Sequence, residues 1–332
     1  MKKTKDTQYL FLSANIRALQ TKMVGTQALQ KMISAASPEE AYKTVNDAGI
    51  GADIDYKDFE SALTQELAST YERLEKASDD PEMFKIFRYK YDGHNLKTLI
   101  KAHVSHSDAE PLLSPLGTVD CKTLRNGLRD GDFGDLNPQL ALAAVQARDS
   151  LAKANDPQMV DVIIDRAVLQ CMSELAKQYK SRFLNQLVEA YIDIANIRCF
   201  VRIKRIGQEL NFLKEVLAQG GSIPVERYFE LYLKNFDDFF EMLDSTVYGP
   251  ALSSSYDAVK NKGSLSGFEK LCDNFMVGVL KQSRFVPFGI EPVLSYLVAK
   301  ENEAQAIRIV MASKIAGVAP EKITERLRET YA

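Results

Sequence analysis

The chain writes one stretch of about twenty residues three times, and that repetition limits its fold more than any other feature. Set Asp92, Asp193 and Glu303 in one column, 101 and then 110 residues apart, and the neighbouring columns agree without a gap. Nine residues before the acid stand Met83, Leu184 and Leu294; six before, Ile86, Leu187 and Leu297; five before, Phe87, Val188 and Val298. Three after it stand Asn95, Asn196 and, breaking the pattern, Ala306. Leu96, Ile197 and Ile307 come next, then Lys97, Arg198 and Arg308. Seven and eight after are Leu99, Phe200 and Val310, then Ile100, Val201 and Met311. Asp80, Ser181 and Glu291 stand twelve before, with Pro81 and Pro292 following the two acids. A register held at both ends marks a triplicated unit.

Each copy reads as helix, but not as one lying on a surface. At about 100° per residue the apolar columns before the acid gather on one face, and those after it gather about half a turn away. Either the element breaks near the acid, where Gly93 helps in the first copy, or its two halves pack against different neighbours. Both readings stay open at this stage.

Elsewhere the chain alternates helical periodicity with turn chemistry. Helices are expected over Tyr9 to about Ile33, from Ser37-Pro38-Glu39-Glu40 with its capping box, over Phe59 to Lys76, and after the cap-then-proline pairs Asn137-Pro138 and Asp156-Pro157. One aromatic helix is expected over Val225 to Leu243, and further ones over Phe268 to Lys281 and from Pro320. Asp80-Pro81 and Glu291-Pro292 open the first and third copies. Proline and glycine clusters at 105–137 and 220–224 mark boundaries. Strand-like alternation is almost absent, so the expected class is all-α, in three similar helical domains at 1–113, 114–217 and 218–332.

Composition narrows the function. With 332 residues, 45% hydrophobic and 26% charged, the chain can bury real cores. A net charge of −3 argues against a protein built to grip phosphate backbones, so nucleic acid is not an expected partner. Cys121, Cys171, Cys199 and Cys272 lack CxxC spacing and read as reduced thiols of a cytosolic protein. No apolar run reaches the ~18–20 residues of a membrane span, and the basic start lacks the form of a cleaved leader.

Several constellations yield only ordinary readings. His94, His103 and His106 lie together, but further metal ligands are not evident, and a solvated helix end fits them better. Asp130 to Asp135 spells DGDFGD without the companions of a kinase or calcium loop, and reads as a polar turn. Gly263 to Gly267 resembles a nucleophile elbow, except that Leu265 occupies the place of the serine. Walker-type glycine loops are missing. The repeated bases Lys97, Lys101, Arg198, Arg202, Arg205 and Arg308 have two readings. They form a solvated helix face, or they line a polar socket for a partner's carboxylates or helix ends. Asp92 and Asp193 have an alternative of their own, pairing with bases inside each unit.

The thrice-written unit, with [DE]-x-x-[NA]-[LI]-[KR] at its centre, resembles the C subunit of V-type (V/A-type) ATPases and ATP synthases, the counterpart of the d subunit of eukaryotic V-ATPases. Phe87 to Ala102, the stretch from Tyr9 to Met23 and the ending from Gly289 onward extend the resemblance over nearly the whole chain. The resemblance implies a pseudo-threefold, funnel-shaped, non-catalytic rotor part without cofactor or metal. Such a part sits on the cytoplasmic side, between the D and F subunits of the central shaft and the membrane proteolipid ring of c/K subunits, which carries sodium or protons. It implies that Asp92, Asn95, Asp193, Asn196 and Glu303 are structural centres of the repeat and that the six bases are candidate partner contacts. The competing readings are a helical-repeat adaptor for a partner peptide and an enzyme using the histidine cluster.

Overall fold

A computed structural model describes residues 9–261 and 263–331; among them the chain is helical with no strand, so the all-α expectation holds. The first helices are α1 (Leu10–Gln20), α2 (Thr26–Ser34), α3 (Pro38–Asp47) and α4 (Phe59–Ala77). Next come α5 (Lys85–Ser105), α6 (Cys121–Asp130), α7 (Pro138–Ala154), α8 (Pro157–Ala176), α9 (Arg182–Ile206), α10 (Leu210–Val216) and α11 (Val225–Tyr232). After α12 (Phe236–Asp244), the short α13 (Gly249–Leu252) and α14 (Tyr256–Lys260) lead to α15 (Ser266–Lys281), α16 (Ile290–Ile315) and α17 (Pro320–Arg326). The described residues form two compact units, one of 81–239 and one of 9–80 with 240–331.

The three copies of the repeated stretch are α5, α9 and α16, each a single unbroken helix of 21, 25 and 26 residues. At a rise of about 1.5 Å per residue the longer two run nearly 40 Å. The paired apolar faces therefore arise from neighbours on different sides. Before its acid, α9 sets Ile192 beside Gly220 and Ser173. After the acid, Phe200 enters an aromatic cluster with Phe239, Tyr228 and Tyr232 at centroid distances of 4.1, 5.7 and 5.9 Å. In the other unit α16 is the core element, buried at every position from Val293 to Glu301, with α1, α2, α3, α4, α15 and α17 packed on it. A helix apolar on all sides is one enclosed by its neighbours.

The caps follow the sequence closely. Ser37, Asn137 and Asp156 each accept a backbone N–H of the first turn beside a proline at the first helical position, and Ser181 does the same for α9. The Glu40 carboxylate reaches back to the N–H of Ala36, one residue earlier than a standard capping box. The DGDFGD stretch is a turn that ends α6, with Gly131 at φ +86°.

Two expected helices are in fact pairs. The stretch from Tyr9 to Ile33 breaks between α1 and α2, where the Val24 N–H leaves the helical ladder to donate to Glu303. The aromatic stretch from Val225 breaks after Tyr232 because Lys204 draws off its end: the ammonium donates to the carbonyls of Leu231, Tyr232 and Lys234 at 3.4, 2.5 and 2.6 Å. The rings of Phe200, Tyr232 and Phe236 lie 5.2–5.8 Å from it. Local periodicity continues through both breaks, and long-range polar contacts override it.

Replacing Lys204 by Met keeps the apolar stem and removes the donor, leaving half-buried carbonyls without it. Urea unfolding is expected to show a loss of about 1–3 kcal/mol, with Lys204→Arg recovering part of it. A Met variant as stable as the parent would reduce this cap to a bystander.

Candidate functional site

The acid and the amide of the repeat stand one helical turn apart, on the same face of their helix. On α5 both are fully buried, and both are spent on the segment that follows the helix. Asn95 forms a closed pair with one peptide unit: its Nδ2 donates to the Ser114 carbonyl and its Oδ1 accepts the Ser114 N–H, each at 2.8 Å. Asp92 accepts the Thr118 N–H at 2.8 Å and the Thr118 hydroxyl at 2.7 Å. Arg88, one turn earlier, donates to the Leu116 carbonyl at 2.9 Å, and His94 contacts the Leu112 carbonyl at 2.8 Å. The helix thus clasps an irregular segment by its backbone.

α9 repeats the arrangement. Asn196 donates to the Ala218 carbonyl at 2.8 Å and accepts its N–H at 2.9 Å. Asp193 accepts the N–H and hydroxyl of Ser222 at 2.8 and 2.6 Å and the N–H of Ile223 at 3.1 Å. The amide partner and the hydroxyl partner are four residues apart in both linkers, Ser114 to Thr118 and Ala218 to Ser222. A glycine precedes the hydroxyl each time, for a steric reason. A Cβ on Gly117 would lie 2.4 Å from an Asp92 oxygen, and one on Gly221 would lie 2.1 Å from an Asp193 oxygen. The unit therefore has a second half, [SA]-x-x-G-[TS]-[VI], at Ser114 to Val119 and Ala218 to Ile223. Sequence comparison in a fixed register passes over it, because three extra residues precede it in the second copy.

The third copy keeps the function with different parts. Glu303 accepts the Val24 N–H, so the linker it holds is the segment between α1 and α2, near the other end of the chain. No amide assists, since Ala306 replaces Asn. Instead Lys300 pairs with Glu303 and, at 2.9 Å, with Glu66. Burial works against this ammonium, but Glu303 and Glu66 outweigh it and raise its pKa above the ordinary lysine value. Burial holds the Glu303 carboxyl above its ordinary value even so, against the lowering effect of Lys300 and the Val24 N–H, and Asp92 behaves in the same way. Burial pushes its carboxyl up to about 6, against the lowering effect of the Thr118 hydrogen bonds and Arg88.

The repeated bases are distributed unevenly. Lys97 and Lys101 meet Asp165 and Asp161 of α8, both at 2.6 Å, and Arg308 meets Glu60 of α4 at 2.8 Å. In the first and third copies the base five residues after the acid therefore ties the long helix to a neighbour in its own unit. Arg202 is exposed, while Arg198 and Arg205 are half-buried. The four cysteines are free thiols, and burial drives that of Cys171 up to about 12.

Residues 12–326 match the family model described as ATP synthase (C/AC39) subunit. The chain is 25% identical to the C subunit of the V-type sodium ATPase of Enterococcus hirae, over 98% of this chain and 99% of that one. It is 26% identical to the C subunit of the A-type ATP synthase of Haloferax volcanii, over 96% of each, and 24% identical to that of Desulfurococcus sp., over 97% and 91%.

Two outcomes are expected of the clasps. Gly221→Ala forces a methyl group into the Asp193 carboxylate and should cost about 2–4 kcal/mol of stability, read by thermal or urea unfolding. Gly267→Ala, where a Cβ meets nothing within 4 Å, should cost far less. Equal effects would remove the steric argument. The second outcome concerns pH. A carboxyl raised from 3.8 to about 6 on folding favours the fold in its protonated form. That contribution is complete below about pH 4 and is lost as pH rises through 6, in total about 3 kcal/mol. Asp92→Asn lacks the titration, so the stability of the parent should fall relative to the variant across this window. Parallel stability–pH profiles would overturn the assignment.

Proposed function

The chain belongs to the ATP synthase (C/AC39) subunit family, and on that premise we propose that it is the non-catalytic socket of a V-type rotary ATPase. In this role it lies on the cytoplasmic side, with the D and F subunits of the shaft docked on it and the membrane proteolipid ring of c/K subunits beyond. Rotation driven by ATP hydrolysis elsewhere passes through it to the ion sites of the ring, or runs in reverse for ATP synthesis. The observation that carries the reading is the match over residues 12–326, joined by relatives of the same name that align over nearly the full length of both chains. Among the described residues no helix is long and apolar enough to cross a membrane, which suits a peripheral attachment.

The clasps fit such a part. Divided at 1–113, 114–217 and 218–332, the chain has a clasp across every division. Asp92 and Asn95 hold Thr118 and Ser114, Asp193 and Asn196 hold Ser222 and Ala218, and Glu303 returns to Val24. Three modules fastened first to second, second to third and third to first make a closed circuit, which suits the pseudo-threefold funnel proposed here. The bases Lys97, Lys101, Arg198, Arg202, Arg205 and Arg308 are the proposed contacts to partner carboxylates. The exposed pairs among them hold their present acids at a net worth of about 0–1 kcal/mol, so exchange costs little.

The test is titration of the purified chain with its D–F shaft pair. Charge reversal of Arg202, alone and together with Arg198, should weaken binding at least tenfold while the melting curve stays close to the parent's. Unchanged affinity removes these bases from the interface. A parent chain that does not bind the pair overturns the socket reading itself.

A further inference from the structure

The third clasp differs from the other two in what its opening leaves behind. α5 and α9 run on into the linkers they hold, from Ser105 to Ser114 and from Ile206 to Ala218. Detaching the first linker takes both Thr118 hydrogen bonds from Asp92 and both Ser114 bonds from Asn95. Detaching the second takes the Ser222 and Ile223 bonds from Asp193 and both Ala218 bonds from Asn196. All four of these side chains are buried, so either opening leaves polar groups short of partners and away from water. On α16 the same event costs Glu303 a single N–H, that of Val24. The carboxylate stays paired with Lys300, which in turn keeps Glu66. The linker here lies 279 residues from the acid that holds it and follows α1 in the chain.

α1 makes few contacts for an element that closes a core. Its apolar anchors are Tyr9, Leu12 and Ile16, with Val24 beyond its end. Leu10, Phe11, Ala14, Asn15 and Ala18 face solvent. Most of its polar grip goes to the turn between α15 and α16. Arg17 donates to the carbonyls of Ser283, Arg284 and Val286 at 3.3, 3.3 and 2.8 Å, and the Ser13 hydroxyl donates to that of Gly289 at 3.2 Å. Gln20 reaches the Tyr331 hydroxyl at 3.2 Å. Among the described residues, backbone joins α1 and its linker to the rest of the unit only at Gly25, at the start of α2.

We propose that α1 and residues 21–24 form a releasable strap, hinged at Gly25, which swings away from α16 and the α15–α16 turn while the rest of the fold stays closed. Its two latches are Glu303 on the Val24 N–H and Arg17 on the turn carbonyls. The strap is shut in the ground state, and its opening is a minor excursion that comes before any opening of the linkers at 114–119 and 218–223. Segments of a native protein open with free energies of their own, and those with the fewest buried contacts open first. Release uncovers the part of α16 on which α1 packs. The device belongs to the fold itself and needs no rotor partner.

The test is hydrogen exchange of the full chain under native conditions, read by mass spectrometry at residue resolution and corrected for intrinsic rates. Val24 and the helical amides of α1 should share one protection factor, about tenfold or more below those of Thr118, Ser222 and the middle of α16. Arg17→Gln should lower the protection of residues 14–24 by about a further tenfold and leave Thr118 and Ser222 unchanged. Arg308→Gln, which breaks an exposed pair on the same long helix, should leave the strap as it is in the parent. Val24 protected as strongly as Thr118 and Ser222 overturns the strap. Graded protection that falls toward Leu10 while Val24 stays protected means simple fraying of α1, and overturns it too. Equal loosening of all three linkers by Arg17→Gln, or of the strap by Arg308→Gln, overturns the assigned latch.

Discussion

A carboxylate shut away from water in the middle of a helix is the constraint from which the rest of this structure follows. Asp92 and Asp193 have no exposed surface. Taking such a group out of water costs several kcal/mol unless hydrogen bonds replace the lost hydration. The helix cannot provide them, because its own N–H groups at that point are bonded four residues back. They must come from another segment, and an irregular one is suited to give them, since its N–H groups have no ladder to belong to. The acid and the linker each solve the other's problem. Asn95 and Asn196 add the matching half, because an amide side chain presents one donor and one acceptor at the spacing a peptide unit can answer.

The sequence carried the helical half of this arrangement openly and the linker half in concealed form. Caps such as Ser37, Asn137 and Asp156 were legible because they act within four residues. The columns around Asp92, Asp193 and Glu303 were legible because a helix has no insertions. The linker motif was hidden by a three-residue difference between Asn95 to Ser114 and Asn196 to Ala218. Its signal, a glycine followed by a hydroxyl residue and a β-branched one, emerges only when Gly117 and Gly221 are placed in register. The two split helices were missed although each second half has a local start signal, Gly25 before α2 and Asn235, whose Oδ1 accepts the Asp238 N–H, before α12. Their breaks are caused by Glu303 and Lys204, residues remote in sequence, while the periodicity of 9–33 and 225–243 continues undisturbed. For the same reason the pairing of Lys97, Lys101 and Arg308 with acids of their own unit had no local trace, since Asp165, Asp161 and Glu60 lie far off along the chain.

The third copy shows what the clasp requires by what it replaces. Its linker lies near the opposite end of the chain, so the hydrogen bond between Glu303 and Val24 joins residues 279 apart in sequence. One N–H is less than Asp92 or Asp193 receives, and the missing amide removes two further bonds. The compensation is ionic: the buried Lys300 lies between the buried Glu303 and the half-buried Glu66. A buried lysine with two carboxylates is satisfied only as a set, so losing one member strands the others. The first two junctions rest on hydrogen bonds to backbone, and the third on charge.

That division bears on how a part of this kind carries load. Close-packed interiors resist deformation, but a linker without secondary structure is compliant unless something fixes its backbone. Here the fixing groups are buried at every junction, while the ion pairs of Lys97, Lys101, Arg125 and Arg308 lie where solvent reaches them. Buried bonds resist exchange because any intermediate exposes an unsatisfied charge; exposed pairs exchange partners at little cost. In the rotor socket proposed for this chain, the first kind belongs inside the part, where the connection must never slip, and the second on its faces, where partners must be able to come and go. The chain places them in that order, and the placement follows from burial alone.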